Sequence, residues 1–282
     1  MNDSEHKKTI WLVVIFSVLV TVVAWIGPGL GGSPASPGLG FILWGTAPLL
    51  VSLLMRAVTR DWSDLGLRPE LKKNSRWYLL SALALPVLMV LTLLVGVLIS
   101  ISSVSEFSMG PYLQTALTAL PIFFILAIFE EAGWRGYLAP KLASLGLNHY
   151  IASALVAVVL ASWHLPYLRE LTWIYTSEDL VTFIPRYYLL TFALSILFGE
   201  SRIMTGTFWP AVLMHAVANS FGHPLAAEYV TVTAGMEYLG SISTGLILIV
   251  FVGLLGVTIN RWRLRQSTRS KSPASYHMQQ TG

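Results

Sequence analysis

Hydrophobic positions along this chain fall in long unbroken runs. They do not alternate with polar ones at the period of a surface helix or strand. Eight runs stand out, at 10–26, 39–58, 77–100, 113–134, 149–168, 180–199, 207–224 and 239–260, each 17–24 residues long. A bilayer core about 30 Å thick demands about 20 apolar residues of a crossing helix. Polar residues are pushed into short connections, of which the Gly/Pro/Ser-rich segment 27–38 is a loop. The pattern predicts an all-α fold: a polytopic membrane helix bundle of about eight transmembrane helices. It forms one domain over 1–260, followed at 261–282 by a basic, disordered tail. The first run follows Lys7 and Lys8 as a signal peptide would, but Gly27-Pro28-Gly29 offers no small-x-small cleavage site, so an uncleaved first span is expected. No internal repeat is visible, which speaks against an inverted-repeat transporter.

Composition sharpens this picture. The 282 residues are 55% hydrophobic and 11% charged, whereas soluble domains carry about 25% charged residues. Cysteine is absent, which excludes disulfides, zinc–thiolate sites and thiol nucleophiles. A pI near 9.3 could suggest nucleic acid, but the basic residues have another use. With the N-terminus in the cytoplasm and the spans alternating, 16 of the 18 Lys and Arg fall inside, and only Arg169 and Arg186 fall outside. That is the positive-inside pattern. The expected partner is therefore the lipid bilayer and not nucleic acid, with both termini cytoplasmic. For a prokaryotic source the membrane is the plasma membrane. Trp11, Trp25, Trp62, Trp77 and Tyr78 sit near span ends, as interfacial aromatics do.

Charge inside a span costs roughly 2.5–3.5 kcal/mol per group at mid-helix, so each one needs a reason. The fourth span ends FEEAGWRGYL, residues 129–138. Glu131 and Arg135 are spaced i, i+4 on one helix face and can pair. Glu130 is rotated about 100° away. One carboxylate can thus be held by the arginine while the other faces a cavity, although spacing alone does not say which. His164 closes a later apolar run, LVAVVLASWH. His215 and Asn219 share a face in WPAVLMHAVANS. Carboxylate, imidazole and amide from three helices suit a water-activating site. Glutamate can accept a proton from water, histidine can position that water, and a second histidine with an asparagine can stabilise an oxyanion.

These residues also carry a resemblance. EEAGWRGYLAP resembles the EExxxR signature of the CAAX protease and bacteriocin-processing family of intramembrane proteases, the group that includes Ras-converting-enzyme-like and Abi proteins. MTGTFWPAVLMHAVANS, residues 204–220, is similar to that family's HxxxN region with its TG–WP lead-in. DLGLRP, residues 64–69, is similar to a segment often found before the catalytic helices. The FxxxH motif is present only as Leu160 and His164, with leucine replacing phenylalanine. The resemblance spans about 60–225. It implies an intramembrane endopeptidase acting on a membrane-associated protein or peptide. In eukaryotic relatives that substrate is a prenylated CaaX tail; prokaryotic relatives are linked to bacteriocin immunity and maturation. By the same resemblance Glu130 is the general base, His164 helps activate water, His215 and Asn219 form the oxyanion hole, and Glu131 and Arg135 support them. The sequence requires no cofactor. Zinc is an open option, held if present by Glu130, His164 and His215, a chemically acceptable donor set.

Other polar residues receive blander readings. Glu200 and Arg202 read as a solvated pair at a span boundary. Arg186 with Glu178 and Asp179 reads as an outer rim, and His223 as a loop-edge residue. Pro121 should kink the fourth span, and Gly133 and Gly136 should permit close helix approach. The wet pocket is expected to open toward the cytoplasmic end. Two rival functions fit the same topology: a non-catalytic scaffold or immunity protein, and a proton-coupled transporter.

Overall fold

A computed structural model describes residues 2–171 and 178–270. The chain runs as α1 (Asp3–Ile26), α2 (Leu39–Thr59), α3 (Ser75–Leu98), β1 (Ser102–Val104), α4 (Met109–Gly133), α5 (Ala139–Ser144), α6 (His149–His164), α7 (Leu180–Thr205), α8 (Trp209–Pro224), β2 (Val230–Val232), α9 (Glu237–Gly240) and α10 (Leu246–Ser270). A π-helical turn, Trp134–Leu138, joins α4 to α5, and a second one, Leu225–Tyr229, follows α8. The two short strands pair antiparallel, Ser103 opposite Thr231.

Among the described residues, seven helical stretches are long and apolar enough to cross a membrane. Large apolar side chains such as Val18, Leu83, Leu94, Val250 and Leu254 project outward from them, each more than half exposed. Water would penalise so much apolar surface, whereas lipid matches it. The chain is an integral membrane helix bundle.

Two segments differ from expectation. The run 207–224 becomes α8, only 16 residues, or roughly 24 Å. It is buried among α3, α4 and α7, where its polar residues have protein neighbours. The last span starts later than 239 and continues through Ser270, so the tail expected from 261 is helical over its first ten residues. Arg263 is held there by Glu200, and Trp262 meets Trp77 with ring centroids 6.4 Å apart. Residues 271–282, Lys271 included, lie outside the described residues.

Packing explains how α4 is placed. A methyl group on Gly133 would sit 2.5 Å from Pro48 Cβ and 2.8 Å from its carbonyl oxygen, so α2 and α4 touch through their backbones here. Gly136 is less demanding, its nearest neighbour being Leu65 at 3.4 Å. Gly133→Ala should therefore destabilise the protein by about 1–3 kcal/mol, read as a lowered unfolding midpoint in detergent, with Gly136→Ala much milder.

The π-turn leaves carbonyls without ordinary helical partners; Arg56 and Arg202 collect those of Gly136 and Arg135, and Lys141 joins them through shared carboxylates. Arg56 is fully buried, donates to the Gly136 and Asp61 carbonyls and pairs with Asp64 at 2.8 Å. Lys141 pairs with Asp61 at 2.7 Å and Asp64 at 3.0 Å. The Lys141 ammonium beside Asp61 holds its carboxyl well below the usual range. Arg202 donates to the Arg135 and Asp64 carbonyls. Thr207 and Trp209 bind the Gly66 and Leu67 carbonyls. The DLGLRP segment is thus strapped across one end of the bundle, directly behind the EExxxR turn.

Candidate active site

Glu131 is the locked carboxylate. It is 1% exposed and accepts from Arg135 Nη1 at 3.1 and 3.2 Å. Arg135 lies over the Phe198 ring at 4.8 Å and reaches Ser195 Oγ at 3.4 Å. The i, i+4 spacing is used as expected, and a buried arginine has its charge balanced by a neighbour on its own helix.

Glu130 points elsewhere. Its side chain is 12% exposed, and its Oε2 is buried with no protein hydrogen-bond partner. Trp134 stands one turn further on. Its indole N–H, also without a well-formed partner, interacts with that carboxylate. An unpaired carboxylate oxygen in a low-dielectric interior is costly unless water or substrate meets it.

His215, on α8, joins the two. Its Nδ1 donates to Glu131 Oε1 at 3.0 Å, and its Nε2 lies 3.8 Å from Glu130 Oε1. Asn219, one turn along α8, lines the same cavity. His164 enters from α6. Its Nδ1 donates to the Leu160 carbonyl at 3.0 Å, which makes Nε2 the unprotonated ring nitrogen of the neutral imidazole. Leucine in place of phenylalanine at 160 therefore leaves the hydrogen bond that fixes the ring unchanged.

Aromatic rings set His164 in place. Trp44 and Trp163 stack at 4.3 Å between centroids, and each indole donates to the other's carbonyl, at 2.8 and 3.1 Å. This reciprocal clamp fastens α2 to α6. His164 meets the Trp163 edge at 4.5 Å and the Tyr187 ring at 5.6 Å. Sequence reading missed Trp44, Trp134, Trp163 and Tyr187. The signal was faint: tryptophan sits beside a candidate polar residue in both WRG and SWH, but in a membrane chain such residues also read as ordinary interfacial aromatics.

All six candidate residues line one cavity of about 530 Å³: Glu130, Glu131, Arg135, His164, His215 and Asn219. Its wall is otherwise mostly apolar, and it reaches the surface at Pro37, Ile42 and Ile122, whose outer faces meet lipid. Pro34 and Pro37 lie at the opposite end of α2 from the strap. The expectation that the pocket opens at the basic end is thus corrected. That end is closed by Arg56, Asp64 and Arg202, and the cavity runs the other way. His223 also lines this cavity from within α8 and is no loop-edge residue.

Two further pairings differ from the sequence reading. Glu200 is fully buried and does not pair with Arg202. It binds Arg263 at 2.7 Å, Asn260 at 2.6 Å and His149 at 3.2 Å. Arg186 pairs with Glu178 but is only 6% exposed, too buried for a solvated rim.

The fold and cavity define a polytopic membrane protein with two carboxylates, two histidines and an amide around one internal space. Comparison with known proteins shows what this region is similar to. Residues 112–221 match the Rce1-like family, described as Type II CAAX prenyl endopeptidase Rce1-like. That match covers under half of the chain but contains every candidate site residue. CAAX prenyl protease 2 of Methanococcus maripaludis is 28% identical over 181 residues, covering 58% of this chain and 64% of the relative. The match thus spans just under two thirds of that relative's length.

Proposed function

We propose that the chain is an intramembrane endopeptidase that hydrolyses a peptide bond near the C-terminus of a prenylated, CaaX-type protein or peptide. One observation carries this reading: Glu130, with an unpartnered carboxylate oxygen, and His164, with a free Nε2, face one cavity whose remaining wall is largely apolar. An isoprenoid suits such a wall, and a scissile amide needs such a polar corner.

Glu130 takes a proton from a water held against His164 Nε2, and the hydroxide attacks the scissile carbonyl carbon. The C=O bond becomes C–O⁻. Asn219 and His215 supply the donors for that oxyanion, His215 as an imidazolium beside the two glutamates, with Nδ1–H on Glu131 and Nε2–H left to donate. Glu130 then returns its proton to the leaving amide nitrogen, and the C–N bond breaks. Glu131 and Arg135 do not touch the reacting atoms; they fix the His215 ring through its Nδ1.

The zinc option fits poorly. Among the described residues, no three His, Asp or Glu side chains come together in a way that could hold a metal ion.

The test uses purified full-length protein and a synthetic farnesylated CaaX peptide. Wild type should release the C-terminal tripeptide, with unchanged rate after dialysis against a zinc chelator. His164→Ala should lower the rate by about 10²-fold or more. No cleavage by wild type, with a stable partner recovered from membranes instead, would favour the scaffold reading. Undiminished cleavage by His164→Ala would overturn its assigned role.

A further inference from the structure

A second cavity, of about 660 Å³, lies at the strapped end of the bundle between α5, α6, α7 and α10. Three arginines line it, Arg135, Arg202 and Arg263, and among the described residues no acidic one does. Two of these charges are already balanced: Arg135 by Glu131 at 3.1 Å and Arg263 by Glu200 at 2.7 Å. Arg202 is different. Its partners are two backbone carbonyls, at 3.0 and 2.6 Å. Asp64, beside it, is already shared between Arg56 and Lys141. One guanidinium charge therefore stands half-buried at the rim of a cavity that offers it no carboxylate.

Apolar residues complete the shape. Ile203 and Leu264 line the cavity and are 46% and 50% exposed on the outer face of the bundle. Trp77 and Trp262 meet at this same end, at the level where interfacial aromatics sit. A hollow with an arginine that shares its nearest carboxylate, Asp64, with two other cations, opening beside an apolar ledge at the membrane interface, matches an amphiphile with an anionic head. We propose that this cavity binds the phosphate-bearing headgroup of an acidic phospholipid, with Arg202 as the anion contact and the acyl chains leaving along Ile203 and Leu264.

The same chemistry could serve a soluble phosphate, so the test separates the two sources. Full-length protein in detergent is titrated with phosphatidylglycerol, phosphatidylcholine or inorganic phosphate. The readouts are the thermal unfolding midpoint and the bound mass by native mass spectrometry. Phosphatidylglycerol should bind saturably at one per chain, and the other two at least tenfold more weakly. Arg202→Gln should weaken phosphatidylglycerol binding by roughly tenfold, the loss of one charge-assisted contact. Because Arg202 also holds the strap, Ala143→Leu is the second variant. Ala143 lines the cavity and is exposed, so leucine there fills the cavity without removing a polar group and should weaken binding similarly. Equal binding of inorganic phosphate would keep the anion site and assign it to a soluble ligand. Phosphatidylcholine binding as tightly as phosphatidylglycerol, or both variants binding it like wild type, would overturn the proposal.

Discussion

Glu130→Gln should lower cleavage of a prenylated CaaX peptide by about 10²- to 10⁴-fold, the usual contribution of a positioned general base. The fold should survive the change. Glu130 Oε2 has no hydrogen-bond partner to lose, and its Oε1 is 3.8 Å from His215, beyond a full hydrogen bond. Glutamine is nearly isosteric and removes a buried charge that no arginine balances, so the unfolding midpoint should hold or rise. The fall should appear in kcat, because the carboxylate acts on water and not on the prenyl chain. Glu131→Gln gives the contrast: it leaves Arg135 buried and unpaired, so activity and stability should fall together. A Glu130→Gln protein that cleaves at the wild-type rate, with its midpoint intact, would move the base elsewhere in the cavity.

That contrast between adjacent glutamates was only half legible in the sequence. The i, i+4 rule allows Glu131 to pair with Arg135, and the 100° step per residue separates Glu130, but spacing does not say which carboxylate is locked; the Arg135 contacts to Glu131 and the unpartnered Glu130 Oε2 do. Apolar run length likewise gives the spans, because the bilayer fixes helix length independently of tertiary contacts. Burial by protein instead of lipid is what the pattern hides. α8 reads as a crossing helix but is a 16-residue inner one, because hydropathy does not distinguish the two surroundings. The fate of Glu200 was hidden for a related reason. Its partners His149, Asn260 and Arg263 are 51, 60 and 63 residues distant in sequence, so only tertiary structure brings them to it. The direction in which the cavity opens depends on the strap over 60–69. Its contacts join loop carbonyls to Arg56, Arg202, Thr207 and Trp209, and no spacing rule connects those positions.

The buried Glu131–Arg135 pair should separate stability from chemistry. Removing one partner strands a charge in a low-dielectric interior, which costs about 3–5 kcal/mol. Arg135→Met alone leaves Glu131 with only His215 for company, and Glu131→Leu alone leaves Arg135 with Ser195 at 3.4 Å. Each single variant should lower the unfolding midpoint sharply. The double variant Glu131→Leu/Arg135→Met removes both charges and fills a similar volume, so it should recover much of the lost stability, as replaced buried pairs often do. Cleavage should not recover with it. His215 Nδ1 would have lost the Glu131 acceptor that holds its ring near Glu130, and an oxyanion donor that is no longer aimed is worth little. If the double variant is as unstable as the singles, the pair is not coupled as described. If it cleaves at the wild-type rate, His215 needs no orientation from Glu131.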